Sequence, residues 1–193
     1  MVWFLSPEKF LDECHDYAWL PSLFSNEEIE KVIKIGDKRG VKKATTRGNL
    51  SSKARKNKVA WIKPDDESEW LFRKLTDVVI EANKLYFGFT LAGFFEPIQF
   101  TIYENKGDHY GTHCDRALGT NCRKLSLVVN LSDPSDYEGG ELLLQPGGGE
   151  PTVMHKEKGA ICFFPSWITH QVTPITKGTR YTLVAWVHGP SFK

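Results

Sequence analysis

The chain has 193 residues, of which 40% are hydrophobic, 25% charged and 12% aromatic, with a formal net charge of +1 at pH 7. That length can bury a substantial core by itself. The near-neutral balance gives no overall attraction for nucleic acid or an anionic membrane, and no run of about 18 apolar residues is available to span a bilayer. The opening residues lack a basic segment followed by an apolar core, so no secretory signal is expected. Cys14, Cys114, Cys122 and Cys162 form no CxxC pair, and a reducing, cytoplasmic setting is the economical expectation. No internal repeat or low-complexity linker interrupts the chain, which predicts one domain over residues 1–193.

In chain order, Ser25 followed by Glu28 makes a capping box. The helix it opens would bury Ile29, Val32, Ile33 and Ile35 and end near Gly36 or Gly40. Residues 38–58 then hold nine Lys or Arg and no acidic residue. Such a run is usually a solvated, mobile loop, and the sharper alternative is a basic lid or rim for an acidic or extended partner. A second helix is expected over about Glu67 to Leu85, with Trp70, Leu71, Leu75, Val78, Val79, Ala82 and Leu85 at helical spacing. From Phe94 onward the pattern changes to short strands at 98–103, 125–131, 141–144, 160–164, 171–172 and 181–187. Turn signals such as Asn105-Lys106-Gly107-Asp108 and Pro146-Gly147-Gly148-Gly149 separate them. Helices first and antiparallel strands after predict an α+β chain with a jelly-roll-like core.

The chemistry is concentrated around Tyr110-Gly111-Thr112-His113-Cys114-Asp115. On a strand, residues two apart share a face, so His113 and Asp115 can converge while Cys114 turns away. His170 lies late in the strand region. Two imidazoles and one carboxylate on one side of a metal leave positions open, the arrangement a non-haem Fe(II) oxygenase needs. A lone HxD pair is more often structural, and His₂Asp with a water would also suit a zinc hydrolase. Ten residues after His170 comes Arg180, which by period 2 shares a face with Thr182, Val184 and Trp186. A guanidinium inside a barrel needs an anion. Spacing alone leaves two choices open: the distal carboxylate of 2-oxoglutarate, helped by Thr182 or a nearby hydroxyl, or an ion pair with a protein Asp or Glu.

Taken together, His113-x-Asp115, the distal His170, and Arg180 with Trp186 on the next strand resemble the iron- and 2-oxoglutarate-dependent prolyl hydroxylases, the PKHD-type hydroxylases most of all. Gln99-Phe100-Thr101-Ile102-Tyr103, Leu131-Ser132-Asp133-Pro134, Tyr137-Glu138-Gly139-Gly140-Glu141-Leu142 and Phe163-Phe164-Pro165-Ser166 strengthen the likeness, which spans roughly residues 20–188. The resemblance implies a double-stranded β-helix (jelly-roll) core with N-terminal supporting helices, the metal and co-substrate region lying at about 95–188. It implies Fe(II) held by His113, Asp115 and His170, and 2-oxoglutarate meeting Arg180 at its far carboxylate. Tyr103, Thr182 and Trp186 would flank the co-substrate, and ascorbate is admitted as an auxiliary. Many relatives carry a tyrosine or threonine on the strand ending near Asn130. Here that strand offers Ser126 and Asn130, so this co-substrate partner is left open.

The expected activity is a 2-oxoglutarate-dependent dioxygenase that hydroxylates a prolyl residue, with O₂ and a proline-containing protein or peptide as partners. Oxidation of a small molecule or free amino acid by the same chemistry is the second expectation, and a non-catalytic cupin-like metal-binding protein the third. A nucleic-acid demethylase is disfavoured, because no second arginine follows Arg180 and the net charge is nearly neutral. No membrane partner is expected.

Overall fold

A computed structural model describes residues 15–45, 54–116 and 122–190. The strands and helices run in the order β1 (Ala18–Leu20), α1 (Asn26–Lys38), β2 (Lys42–Lys43), β3 (Arg55–Lys56), β4 (Lys58–Ile62), α2 (Glu69–Ala82), β5 (Ile98–Tyr103) and β6 (His109–His113). They continue with β7 (Arg123–Asn130), β8 (Tyr137–Gly139), β9 (Leu142–Gln145), β10 (Thr152–Val153), β11 (Ile161–Pro165), β12 (Thr169–Val172), β13 (Ile175–Gly178) and β14 (Arg180–His188). A seven-stranded sheet has the order β1-β11-β7-β14-β5-β4-β2, and a five-stranded sheet the order β10-β9-β12-β6-β3. A short β13-β8 ribbon completes the strand set. Strand pairing is antiparallel throughout, as the short strands and tight turns require. This is the double-stranded β-helix expected from the sequence.

Period-2 alternation decides which residues reach the site. On the large sheet, Ile98, Phe100 and Ile102 of β5, Leu125, Leu127 and Val129 of β7, and Leu183, Ala185 and Val187 of β14 share one buried cluster with both helices. The opposite parity on the same strands, including Tyr103, Val128 and Arg180, turns toward the small sheet. The helices are therefore outside supports, and the space between the sheets is left for chemistry. Helix α1 starts with both halves of the capping box: Ser25 Oγ accepts from the Glu28 N–H at 3.3 Å, and the Ser25 N–H donates to Glu28 Oε2 at 2.8 Å. Ile29, Val32, Ile35 and Gly36 are buried, while Ile33 is only half-buried. A Cβ on Gly36 would come within 2.4 Å of the Phe100 ring, so the helix lies directly on β5.

Two expectations need correction. The second helix is α-helical only to Ala82; residues Asn83–Phe87 form a π-helical turn closed by the Gly88 N–H donating to the Asn83 carbonyl at 2.7 Å. The wider turn shifts the register, so Phe87 is buried and Leu85, expected on the inner face, is 61% exposed. The described part of the basic segment is also more ordered in pattern than a loop. Its ends form β2, β3 and the start of β4, with Lys56 paired to Asp108 at 3.4 Å and Lys58 paired to Glu104. The remainder of the proposed lid, residues 46–53, lies outside the described residues. Among the described residues, no helix is long and apolar enough to cross a membrane.

Candidate metal centre

The small sheet sets the two histidines side by side, because β6 and β12 pair with His113 directly opposite His170. Each imidazole is oriented by its own backbone. His113 Nδ1 meets the Gly111 carbonyl at 2.8 Å and His170 Nδ1 meets the Ile168 carbonyl at 2.9 Å. A carbonyl can only accept, so each Nδ1 donates to it and each Nε2 is turned inward. Those Nε2 atoms lie 3.7 Å and 3.5 Å from the two Asp115 carboxylate oxygens. All three ligand atoms fall within 4.8 Å of one another.

Asp115 arrives there by a different route from the one strand alternation suggests. Strand β6 ends at His113, and Asp115 sits in the turn beyond it. The turn is fixed by the Arg116 N–H donating to the Ser166 carbonyl at 2.9 Å and by Arg123 Nη1 donating to the Asp115 carbonyl at 3.3 Å. Ser126 Oγ donates to Asp115 Oδ2 at 2.7 Å and lies 2.9 Å from Ser166 Oγ. Cys114 does face away, its Sγ lying 3.3 Å from the Trp167 carbonyl.

The electrostatics prepare His113 and Asp115 for a cation. Burial is the main force lowering the His113 pKa to about 4, with the neighbouring His170 adding to it. The ring is therefore neutral and able to donate a lone pair near pH 7. Burial raises the Asp115 carboxyl, but His170, His113 and the Ser126 hydroxyl outweigh it and hold the group below its ordinary value. The Trp186 indole N–H also approaches this carboxylate and helps lower it, without reaching good hydrogen-bond geometry. Tyr110 stacks on His113 with ring centres 3.6 Å apart, and Arg55 lies 4.3 Å above Tyr110. Two imidazoles braced at Nδ1, beside a hydrogen-bonded carboxylate held below its ordinary pKa, fit a divalent metal.

One cavity is lined by His113, Asp115, His170, Tyr103, Arg180, Thr182 and Trp186 among others. The structure thus brings all of the sequence-predicted site residues to one place. Arg180 is 4% exposed, and its Nε donates to Asn130 Oδ1 at 3.3 Å. No carboxylate of the described residues pairs with it, which removes the protein ion-pair alternative among them. A buried guanidinium that meets an amide oxygen and the Tyr103 ring, and no carboxylate among the described residues, is suited to a ligand carboxylate. Tyr103 sits opposite Arg180 in the β5–β14 register, and burial raises its hydroxyl pKa, so it stays a neutral donor. Ser126 and Asn130, left open by the sequence, support Asp115 and Arg180 respectively. Their inward parity with Val128 on β7 was the available signal. Arg123 and Glu96 had no sequence signal, whereas the Gln99–Thr101 hydrogen bond at 2.9 Å joins two residues that strand alternation already puts on one face.

Comparison with known proteins agrees with this arrangement. The family model for the 2OG-Fe(II) oxygenase superfamily matches residues 98–188. A PKHD-type hydroxylase of Shewanella sp. (strain ANA-3) is 29% identical over 174 residues, covering 87% of this chain and 76% of that protein. A PKHD-type hydroxylase of Nitrosomonas europaea is 31% identical over 142 residues, covering 70% of this chain and 61% of the relative. The crystal structure of a Pseudomonas putida prolyl-4-hydroxylase superposes with a TM-score of 0.72 at 19% identity, covering 91% of this chain and 94% of that one. A Trichoplax adhaerens prolyl hydroxylase in complex with a hypoxia inducible factor oxygen degradation domain peptide fragment gives 0.76 at 18% identity, covering 90% and 83%. At such identities the structural likeness speaks for the fold, while the family model falls on the strands that carry the triad and Arg180. Over residues 98–188 the chain matches the 2OG-Fe(II) oxygenase superfamily, a dioxygenase family that works with Fe(II) and 2-oxoglutarate.

Proposed function

We propose that the chain, as a single domain, hydroxylates a prolyl residue in a protein or peptide, with His113, Asp115 and His170 holding Fe(II) and Arg180 anchoring 2-oxoglutarate. The observation that carries the reading is Arg180: a buried cation without a carboxylate partner among the described residues, lining the same cavity as the triad. Bound Fe(II), with 2-oxoglutarate and O₂, supplies the oxidising power that decarboxylates the co-substrate to succinate and places one oxygen atom on the substrate. The residues do the rest. Arg180 presents a planar fork to the distal carboxylate, and the Thr182 and Tyr103 hydroxyls offer further hydrogen bonds along the cavity wall. Trp186 and Val184 add apolar surface to that wall. A metal held by His113, Asp115 and His170 alone would have positions free for the co-substrate and O₂. Peptidyl proline as the target draws support from the Pseudomonas putida and Trichoplax adhaerens prolyl hydroxylases that share the fold. The basic segment is proposed as the rim or lid for that peptide, its described end hydrogen-bonded to the metal strand through the Gly111 N–H and the Ala54 carbonyl at 2.8 Å.

The test is mass spectrometry of a proline-containing peptide incubated with the protein, Fe(II), 2-oxoglutarate and ascorbate, together with succinate release. A gain of about 16 Da on the peptide is expected, as for one added oxygen. Succinate release stimulated by free amino acids and not by peptides would overturn the prolyl assignment in favour of a small-molecule hydroxylase.

A further inference from the structure

Arg123, the first residue of β7, is engaged on three sides. Its Nε donates to Glu96 Oε1 at 2.7 Å and its Nη2 to Glu96 Oε2, a two-pronged pair. Its Nη1 donates to the main-chain carbonyl of Asp115 at 3.3 Å. Its guanidinium lies over the Trp186 indole, 3.7 Å from the ring centre. Glu96 Oε1 also meets His188 Nε2 at 3.0 Å. Neither Arg123 nor Glu96 lines the cavity, and the chemistry proposed above uses neither.

Their placement answers a mechanical need. His113 and His170 are held by the β6–β12 ladder, but Asp115 lies past the end of β6, where no ladder fixes it. Its carboxylate is tethered by Ser126 and the backbone after it by Ser166. The Asp115 carbonyl itself is held by Arg123. A bidentate arginine–carboxylate pair fixes the guanidinium plane far better than a single contact does. The plane so fixed meets both the Asp115 backbone and the face of Trp186, whose edge approaches the Asp115 carboxylate.

We infer that Arg123, locked by Glu96, is a positioning residue that sets Asp115 against the two imidazoles and braces Trp186 as a wall of the cavity. This rests on Asp115 being a metal ligand, as proposed above. Outer partners of metal ligands are typically worth about 10- to 100-fold in metal affinity, and that is the range expected here.

The experiment is titration of the metal-free full chain with Co(II), followed by visible absorption, which reports both affinity and ligand geometry. Arg123→Gln should bind Co(II) at least about tenfold more weakly, with an altered band. Arg123→Lys, which keeps the charge but loses the fork, should recover part of the affinity. Glu96→Gln should weaken binding in the same direction and by less. It keeps the side chain's size, so it decides the matter if Arg123→Gln fails to fold by near-ultraviolet circular dichroism. Wild-type affinity and spectrum in folded Arg123→Gln and Glu96→Gln, alongside loss of binding in His170→Ala, would overturn the positioning role alone. Retained binding in His170→Ala would overturn the metal assignment and this inference with it.

Discussion

At the residue scale, the proposed function gives each site group a separable job, and the separation can be measured. Arg180→Ala removes a buried charge-assisted contact of about 1.5–3 kcal/mol. The 2-oxoglutarate requirement should therefore rise about 10- to 100-fold, while Co(II) binding to the metal-free protein stays as in wild type. Equal 2-oxoglutarate dependence in the two proteins would place the anion site elsewhere. His113 makes a prediction of opposite character, about pH. Its folded pKa of about 4 lies below the ordinary value of 6.5, because burial disfavours the charged ring. Between those values the unfolded chain binds more protons than the folded one, so stability must fall as the pH falls through that window. The metal-free protein should lose on the order of 1–3 kcal/mol from this group between about pH 6.5 and 4. Asp115, whose pKa is lowered, contributes stability that disappears only below the ordinary carboxylate range. Thermal melts across pH 4–7, compared with His113→Gln, isolate the histidine; identical pH profiles would show that the ring is not held neutral by the fold.

At the scale of elements, the helices act on the site only through the sheet they cover. Helix α1 rests Gly36 on Phe100, and Phe100 is flanked on β5 by Gln99 and Thr101 facing the other way. Gly36→Ala should therefore cost about 1–3 kcal/mol through overpacking, visible as a lowered Tm, and disturb the neighbouring cavity wall. Unchanged stability would mean the helix can lift off β5 without cost. The basic segment is an element of a different kind. Its described ends are stitched to the large sheet through β4 and to the metal strand through β3. Most of its anchoring charge near the site is already matched by Asp108 and Glu104. Shortening residues 46–53 should accordingly leave Co(II) and 2-oxoglutarate binding intact and lower peptide turnover. Undiminished turnover would remove the lid from the proposal.

At the scale of the whole molecule, two buried clusters divide the labour: one bonds helices to the large sheet, and the other joins the two sheets around the cavity. Ligands that bind only the folded state should stabilise it, by about 2.7 kcal/mol at a hundredfold excess over Kd. Co(II) and then 2-oxoglutarate should raise Tm in two steps, and Arg180→Ala should lose only the second. Much of this architecture was legible in the chain itself. Strict alternation on β5, β7 and β14 separates helix-facing residues from cavity-facing ones, because successive side chains of a strand point to opposite faces. That alone put Arg180, Thr182 and Trp186 on one wall. The capping box of Ser25 and Glu28 was likewise written locally, since its partners are three residues apart. Other features depend on residues far apart in sequence that meet only in the fold. The Ser126 and Arg123 tethers on Asp115 reach across 11 and 8 residues, and Glu96 to Arg123 across 27. The π turn that exposes Leu85 reflects how the end of α2 docks, which helical periodicity cannot foresee. The sequence by itself determined which side chains could face a metal and a carboxylate. Only the tertiary structure decided that Asp115 reaches the histidines from beyond its strand, and that Arg180 is buried without a carboxylate partner among the described residues, because both depend on distant segments closing around them.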